Sequence, residues 1–164
     1  SLQHAKDDIS ALALQLNQIA KTHDARILLL PIGYARHHSD QHALALIREA
    51  LTVESVMPEA PSVMNIMAAI AFCKVFIGTS LHGAITALSY AVPHVSIGPS
   101  GGKLESFIRT WDLPEQSQCT PINGLAEKVN KVLCVSSERR IKKKEALIKC
   151  YRKCFDEILS EITA

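Results

Sequence analysis

The stretch VFIGTSLHGAITALSYAVPHVSI, residues 75–97, constrains the fold more than any other part of the chain. Two short apolar runs, Val75–Ile77 and His94–Ile97, bracket an alanine-rich helical segment, Leu81–Ala91. A strand, a crossing helix and a second strand place the two strands side by side and parallel, with the helix covering one face. His82 sits in the first turn of that helix, among residues otherwise suited to packing.

The alternation continues in both directions. Ile9, Leu12, Leu16 and Ile19 recur at helical spacing over Ala5–Lys21. RILLLPIG, residues 26–33, is a continuous apolar run closed by Pro and Gly, as in a strand buried on both faces. YARHHSD reads as a loop, with Asp40 as the cap of a helix over 41–51. A brief strand at Val53–Val56 and a helix at Val63–Cys73, opened by Ser62, lead into the central segment. Beyond it come a Gly-rich loop at Gly98–Gly102, a helix over Lys103–Thr110 and a short edge strand near Cys119. Two closing helices span Gly124–Val135 and Ser137–Ile162. The expected fold is α/β: a doubly wound parallel sheet in one domain, 1–164, with helices on both faces and a long C-terminal helix. With 48% hydrophobic residues over 164 positions, a core of ordinary size is available.

A net charge of +2 is too small to imply a polyanionic partner, and few aromatics accompany the basic residues, so nucleic-acid binding is not expected. No apolar run approaches the roughly 20 residues of a membrane helix, and no signal peptide is recognised. Five cysteines, odd in number and without a C-x-x-C pair, fit reduced thiols in the cytoplasm. Cys150 and Cys154 are four apart on a helix, but no second ligand pair accompanies them and no metal is expected. The chain opens at Ser1 inside a predicted helix, without a methionine, and is expected to be a piece of a longer polypeptide.

In a parallel sheet, ligands collect at the carboxyl ends of the strands, and IGTSLHG occupies such an end. Gly78 lets the backbone turn sharply, Thr79 or Ser80 caps the helix, and the first-turn N–H groups lack partners within it. Together with the helix dipole they suit an anion, and His82 is placed to hydrogen-bond it or move a proton. The plainer alternative is a half-buried histidine satisfied by a backbone carbonyl.

The segment VFIGTSLHGAITALSYAVPHVSIGPSGGKLESFIRTWDL resembles the polysaccharide pyruvyl transferase family. The resemblance rests on Gly78, Thr79, Leu81, His82 and Gly83, the turn Ala91-Val92-Pro93, and Lys103 and Phe107 in the next loop and helix. ILLLPI and HSDQHALALI match in kind, so it spans roughly residues 5–115. It implies the C-terminal half of a two-domain GT-B-like enzyme. Such an enzyme moves the enolpyruvyl group of phosphoenolpyruvate onto two hydroxyls of one sugar, forming a ketal and releasing phosphate. It also implies that His82 belongs to the donor site; the turn residues Gly78, Thr79, Ser80, Leu81 and Gly83, with Lys103 and Arg36, are the expected substrate-binding residues. Many members carry Arg two residues before this histidine, where this chain has Ser80; Lys103 either supplies the compensating cation or is an exposed lysine at a helix start. Phosphoenolpyruvate is expected as donor, with no separate cofactor and a saccharide as acceptor.

Arg36, His37 and His38, after the first strand, face the same sheet edge and are weaker candidates for it. His94 begins a buried strand and is expected to be structural. Eight of the eighteen Lys and Arg residues lie between Arg139 and Lys153, on a helix whose apolar residues follow a heptad-like stripe. That face is either solvated or attracted to anionic lipid headgroups or a lipid-linked acceptor, and the stripe is expected to pack across a domain junction or between two copies.

Two other functions compete. A nucleotide-sugar-binding GT-B domain is expected to hold the ribose with two glutamates eight positions apart, but Glu105 is followed by Leu113. A related epimerase would carry a Thr-Glu-Arg-like stretch, which GPSGGKLES lacks. A non-catalytic anion-binding relative is the third reading, favoured by Ser80.

Overall fold

The computed structural model describes residues 2–35 and 38–163. The chain alternates as α1 (Leu2–His23), β1 (Ile27–Leu28), β2 (Tyr34–Ala35), β3 (His38–Ser39), α2 (Asp40–Ala50), β4 (Ser55–Val56) and α3 (Val63–Phe72). It continues with β5 (Phe76–Gly78), α4 (Leu81–Ser89), β6 (His94–Ser96), α5 (Lys103–Trp111), a 3₁₀ turn (Ile122–Gly124), α6 (Leu125–Leu133) and α7 (Ser137–Thr163). Every helix expected from the apolar spacing is present. The architecture is mixed α/β.

The strands pair more sparingly than a doubly wound sheet implies. β1 pairs with β4 and β5 with β6, both parallel, with Phe76, Ile77 and Gly78 in register with His94, Val95 and Ser96. A parallel bridge between Ile97 and Thr120 adds the short edge expected near Cys119. The two parallel pairs are not hydrogen-bonded to each other among the described residues, and a cleft of about 840 Å³ lies between β1 and β5. Segment 34–39, expected as a loop, instead holds the antiparallel pair of β2 and β3. Asp40 is the reason: its Oδ2 accepts the N–H groups of Ile32 and Gly33 at 3.1 and 2.7 Å. The carboxylate thus pins the chain leaving β1, rather than capping α2 as expected.

Alternation along the strands sends neighbouring side chains to opposite faces. Leu29, Val95, Val75 and Ile77 join Leu16, Ile19, Ile47 and the α6 residues Leu125, Val129 and Val132 in one core cluster. Leu30, Ile32 and Phe76 join Ile70, Ala87 and Val92 beneath α3 and α4 in the other. Helices therefore cover both faces, which is why ILLL and VFI carry no polar residue.

Side chains of α1 satisfy backbone elsewhere. Gln15 caps α6 by accepting from Ala126 N–H at 2.9 Å, and Asn17 accepts from Thr52 N–H at 2.9 Å. α4 ends in a left-handed closure at Ala91 (φ 57°), with Val92 N–H bonded to Ala87 O at 2.8 Å. Arg140 of α7 donates from Nε to the carbonyl of Ala91 at 2.9 Å. All five cysteines are free thiols; burial, as the largest influence, pushes the Cys73 thiol up to about 11.

Candidate functional site

β5 and β6 end together. Gly78 is the register partner of Ser96, and its carbonyl accepts from Ile97 N–H at 2.9 Å. The turn 79–80 and the loop 98–102 therefore leave the same edge of the sheet side by side. They deliver His82 as the second residue of α4 and Lys103 as the first of α5.

Ser80 is the cap, resolving the choice between it and Thr79. Its Oγ accepts from Gly83 N–H at 3.2 Å, and its carbonyl accepts from Ala84 N–H at 3.0 Å. The N–H groups of Leu81 and His82 find no acceptor among the described residues. His82 is exposed, and its carbonyl receives the Thr86 hydroxyl at 2.8 Å. This exposure excludes the half-buried, internally satisfied histidine considered from sequence. Two unpaired N–H groups, an exposed imidazole and the positive end of a nine-residue helix thus lie together at this edge.

The two glycines of the motif have a packing role. The Phe76 ring lies over both: a Cβ on Gly78 would come within 2.8 Å of its Cζ, and one on Gly83 would collide with the same atom. Only glycine at 78 and 83 lets α4 approach β5 with this ring between them. Leu81 is half-buried and Thr79 exposed.

Thr79 and Ser80, with Gly78, also line the cleft between β1 and β5, opposite Ile32 and Asp40. His82 and Lys103 stand outside its lining. Lys103 is exposed. Beside it, the buried carboxylate of Glu105 reaches back to the loop and accepts Gly101 N–H at 2.5 Å, one residue before the Gly102 cap of α5. Glu105 is therefore withdrawn from solvent, a role that its spacing to Leu113 did not disclose. Arg36 and His37 lie outside the described residues, and His38 is described only through its place in β3.

Sequence reasoning missed a buried polar network at the opposite end of β6. His94 and Asp112 have side chains with no exposure, and Nε2 and Oδ2 approach to 2.6 Å. The two atoms form a close buried contact, and neither has another hydrogen-bond partner. Asp112 Oδ1 accepts from Gln116 Nε2 at 2.8 Å and from Leu113 N–H at 2.7 Å, while Gln116 Oε1 accepts from His94 N–H at 3.3 Å. His94 Nδ1 faces the Val92 carbonyl at 3.1 Å. Burial, the largest single influence on Asp112, raises its pKa. The His94 hydrogen bond and charge, with the Gln116 and Leu113 donors, outweigh it and hold the carboxyl below its usual range. This network fastens β6 to the end of α5 and is structural.

Among the described residues, no cluster of three His, Cys, Asp or Glu side chains could hold a metal. No described helix is long and apolar enough to cross a membrane.

The class defined here is a mixed α/β protein whose exposed helix start, with His82, opens at the carboxyl edge of a parallel strand pair. The particular family is set by comparison: the family model for polysaccharide pyruvyl transferase matches residues 3–101, more than half the chain, and the chain belongs to that family. The match includes the whole Gly78–Gly83 turn and ends two residues before Lys103. No curated protein and no solved structure matched the chain.

Proposed function

We propose that this chain is the donor-binding half of an enzyme transferring a pyruvyl ketal from phosphoenolpyruvate to a sugar of a cell-surface polysaccharide or its precursor, acting in the cytoplasm. The observation that carries the reading is the exposed His82 beside the unpaired N–H groups of Leu81 and His82 at the start of α4. The donor's phosphate or carboxylate accepts from these groups, Ser80 holds the turn, and Lys103 arrives on the adjacent loop. In the transfer, a proton adds to the donor methylene, two sugar hydroxyls bond to the carbon it activates, and phosphate leaves; one hydroxyl proton departs with the phosphate and the other restores the proton given to the methylene. His82 acts first as an anion ligand and second as a source of that proton. No separate cofactor is required.

The fold belonging to this reading is a doubly wound GT-B-like domain with sheet order β4-β1-β5-β6. The facing edges of β1 and β5 are its central neighbours across the cleft. The nucleotide-sugar alternative is disfavoured because the Glu105 carboxylate is committed to Gly101.

Calorimetric titration with phosphoenolpyruvate and with a panel of nucleotide sugars tests the assignment. The protein binds phosphoenolpyruvate in preference, and His82→Ala weakens it about 10-fold or more, the loss of one charge-assisted hydrogen bond. The thermal midpoint of the variant stays within about a degree of the parent, because the side chain is exposed. Preference for a nucleotide sugar overturns the family function, and unchanged donor binding by His82→Ala removes the histidine from the site.

A further inference from the structure

The first half of α7 is anchored. Arg140 bonds Ala91 O, Arg139 makes a two-pronged pair with Glu115 at 2.7 and 3.3 Å, and the Tyr151 and Trp111 rings stack with centroids 6.0 Å apart. From Arg152 to Ile162 every residue is exposed, including Phe155 (64%), Ile158 (52%) and Ile162 (75%). These are not scattered. Ile141, Ile148, Phe155 and Ile162 recur every seven residues, and Lys144, Tyr151 and Ile158 fall on the intermediate heptad position, forming one seam along the helix. Among the described residues, its lower part borders an apolar groove of about 130 Å³ between α4, α5 and α7, lined by Ile85, Leu88, Phe107, Trp111, Ile148 and Tyr151.

Charge reverses along the same helix. Lys142, Lys143, Lys144, Lys149, Arg152 and Lys153, with the lone acid Glu145 among them, precede Asp156, Glu157 and Glu161. Two such helices side by side in parallel set like charge against like; antiparallel, each basic half runs beside an acidic half. The acids surround the most exposed apolar residues, which speaks against an anionic lipid surface as the cover of that end.

We propose that α7 pairs antiparallel with α7 of a second copy of this chain. Heptad layers match when the two helices are centred near residue 153. Ile148 then faces Ile158 of the other copy, Tyr151 faces Phe155, and the reciprocal layers follow by symmetry. Each projecting end lies along the groove between α4 and α5 of the opposite copy, extending its apolar lining. Cys154 flanks the seam next to the twofold axis, close to its own symmetry mate.

Sedimentation of the protein at about 100 μM, enough to populate a dimer of micromolar Kd, gives twice the monomer mass. Phe155→Asp with Ile158→Asp returns the monomer mass while its thermal midpoint stays that of the parent at concentrations where the parent is also monomeric. A chain keeping Cys154 as its only cysteine forms an interchain disulfide on mild oxidation, and one keeping only Cys134 does not. A parent monomeric at that concentration, a dimer surviving the double substitution, or equal cross-linking through Cys134 overturns the proposal. So does a monomer whose α7 binds anionic vesicles and loses that binding on the double substitution, since lipid is then the occupant.

Discussion

Removing the Asp112 carboxylate tests the buried network most directly. In Asp112→Ala, three donors lose their acceptor at once: His94 Nε2, which faced Oδ2 at 2.6 Å, Gln116 Nε2 at 2.8 Å and Leu113 N–H at 2.7 Å. The His94 and Asp112 side chains are fully shielded from bulk solvent, so the solvent supplies no replacement acceptor. One unsatisfied buried donor costs about 1–3 kcal/mol, and breaking a buried ion pair about 3–5 kcal/mol. Because these losses overlap, the expected destabilisation is about 4 kcal/mol, a large part of a typical domain stability of about 5–15 kcal/mol. With a urea m-value of about 2 kcal/mol/M, the midpoint falls by about 2 M. Trp111, the only tryptophan and the immediate neighbour of Asp112, reports the transition by fluorescence. Asp112→Asn keeps the shape and one carbonyl oxygen, and loses about half as much. The sign with pH follows from the lowered carboxyl pKa. The ionised carboxylate contributes its full stabilisation above the ordinary range near pH 4, and that contribution is lost as pH falls through the lower folded value. The gap between parent and Asp112→Asn therefore narrows on acidification below about pH 4. An alanine variant within about 1 kcal/mol of the parent, or a gap that widens in acid, refutes the network as a stabilising pin.

Two further perturbations probe the α4 crossover. Ala91→Gly relieves a left-handed residue at φ 57° and raises stability by about 0.5–1 kcal/mol in chemical unfolding; a loss of stability contradicts the strain. Gly83→Ala drives a methyl into the Phe76 ring and costs about 1–3 kcal/mol, and adding Phe76→Leu recovers part of it. A neutral Gly83→Ala shows that the ring does not lie where α4 crosses it.

The helices were legible because each carries its own local signal: the apolar spacing in α1, the Ser62 cap of α3, and Thr79 or Ser80 as the cap of α4. The strands were legible as apolar runs, and the right runs paired in parallel. Their extent was not, since strand pairing depends on a partner distant in sequence, and the run at 26–33 contributes only Ile27 and Leu28 to a ladder. The turn at Gly78–Gly83 was visible in sequence as a place for an anion, but the second role of its glycines was not, because Phe76 meets Gly83 only after α4 folds back. Asp40 and Glu105 show the same limit. Each is an acid near a helix start, yet one reaches back to Ile32 and Gly33 and the other to Gly101, and nothing in the local pattern selects those donors.

What the sequence determined by itself was the order of the helices and apolar strands, the two-faced burial of those strands and the family, all written in neighbouring residues and their spacing. What only the tertiary structure decided was which polar groups meet: His94 with Asp112, Arg140 with the carbonyl of Ala91, Gln15 with the start of α6. Such partners are selected by chain reversal and close packing, which bring together residues between 18 and 111 positions apart, beyond the reach of any local period.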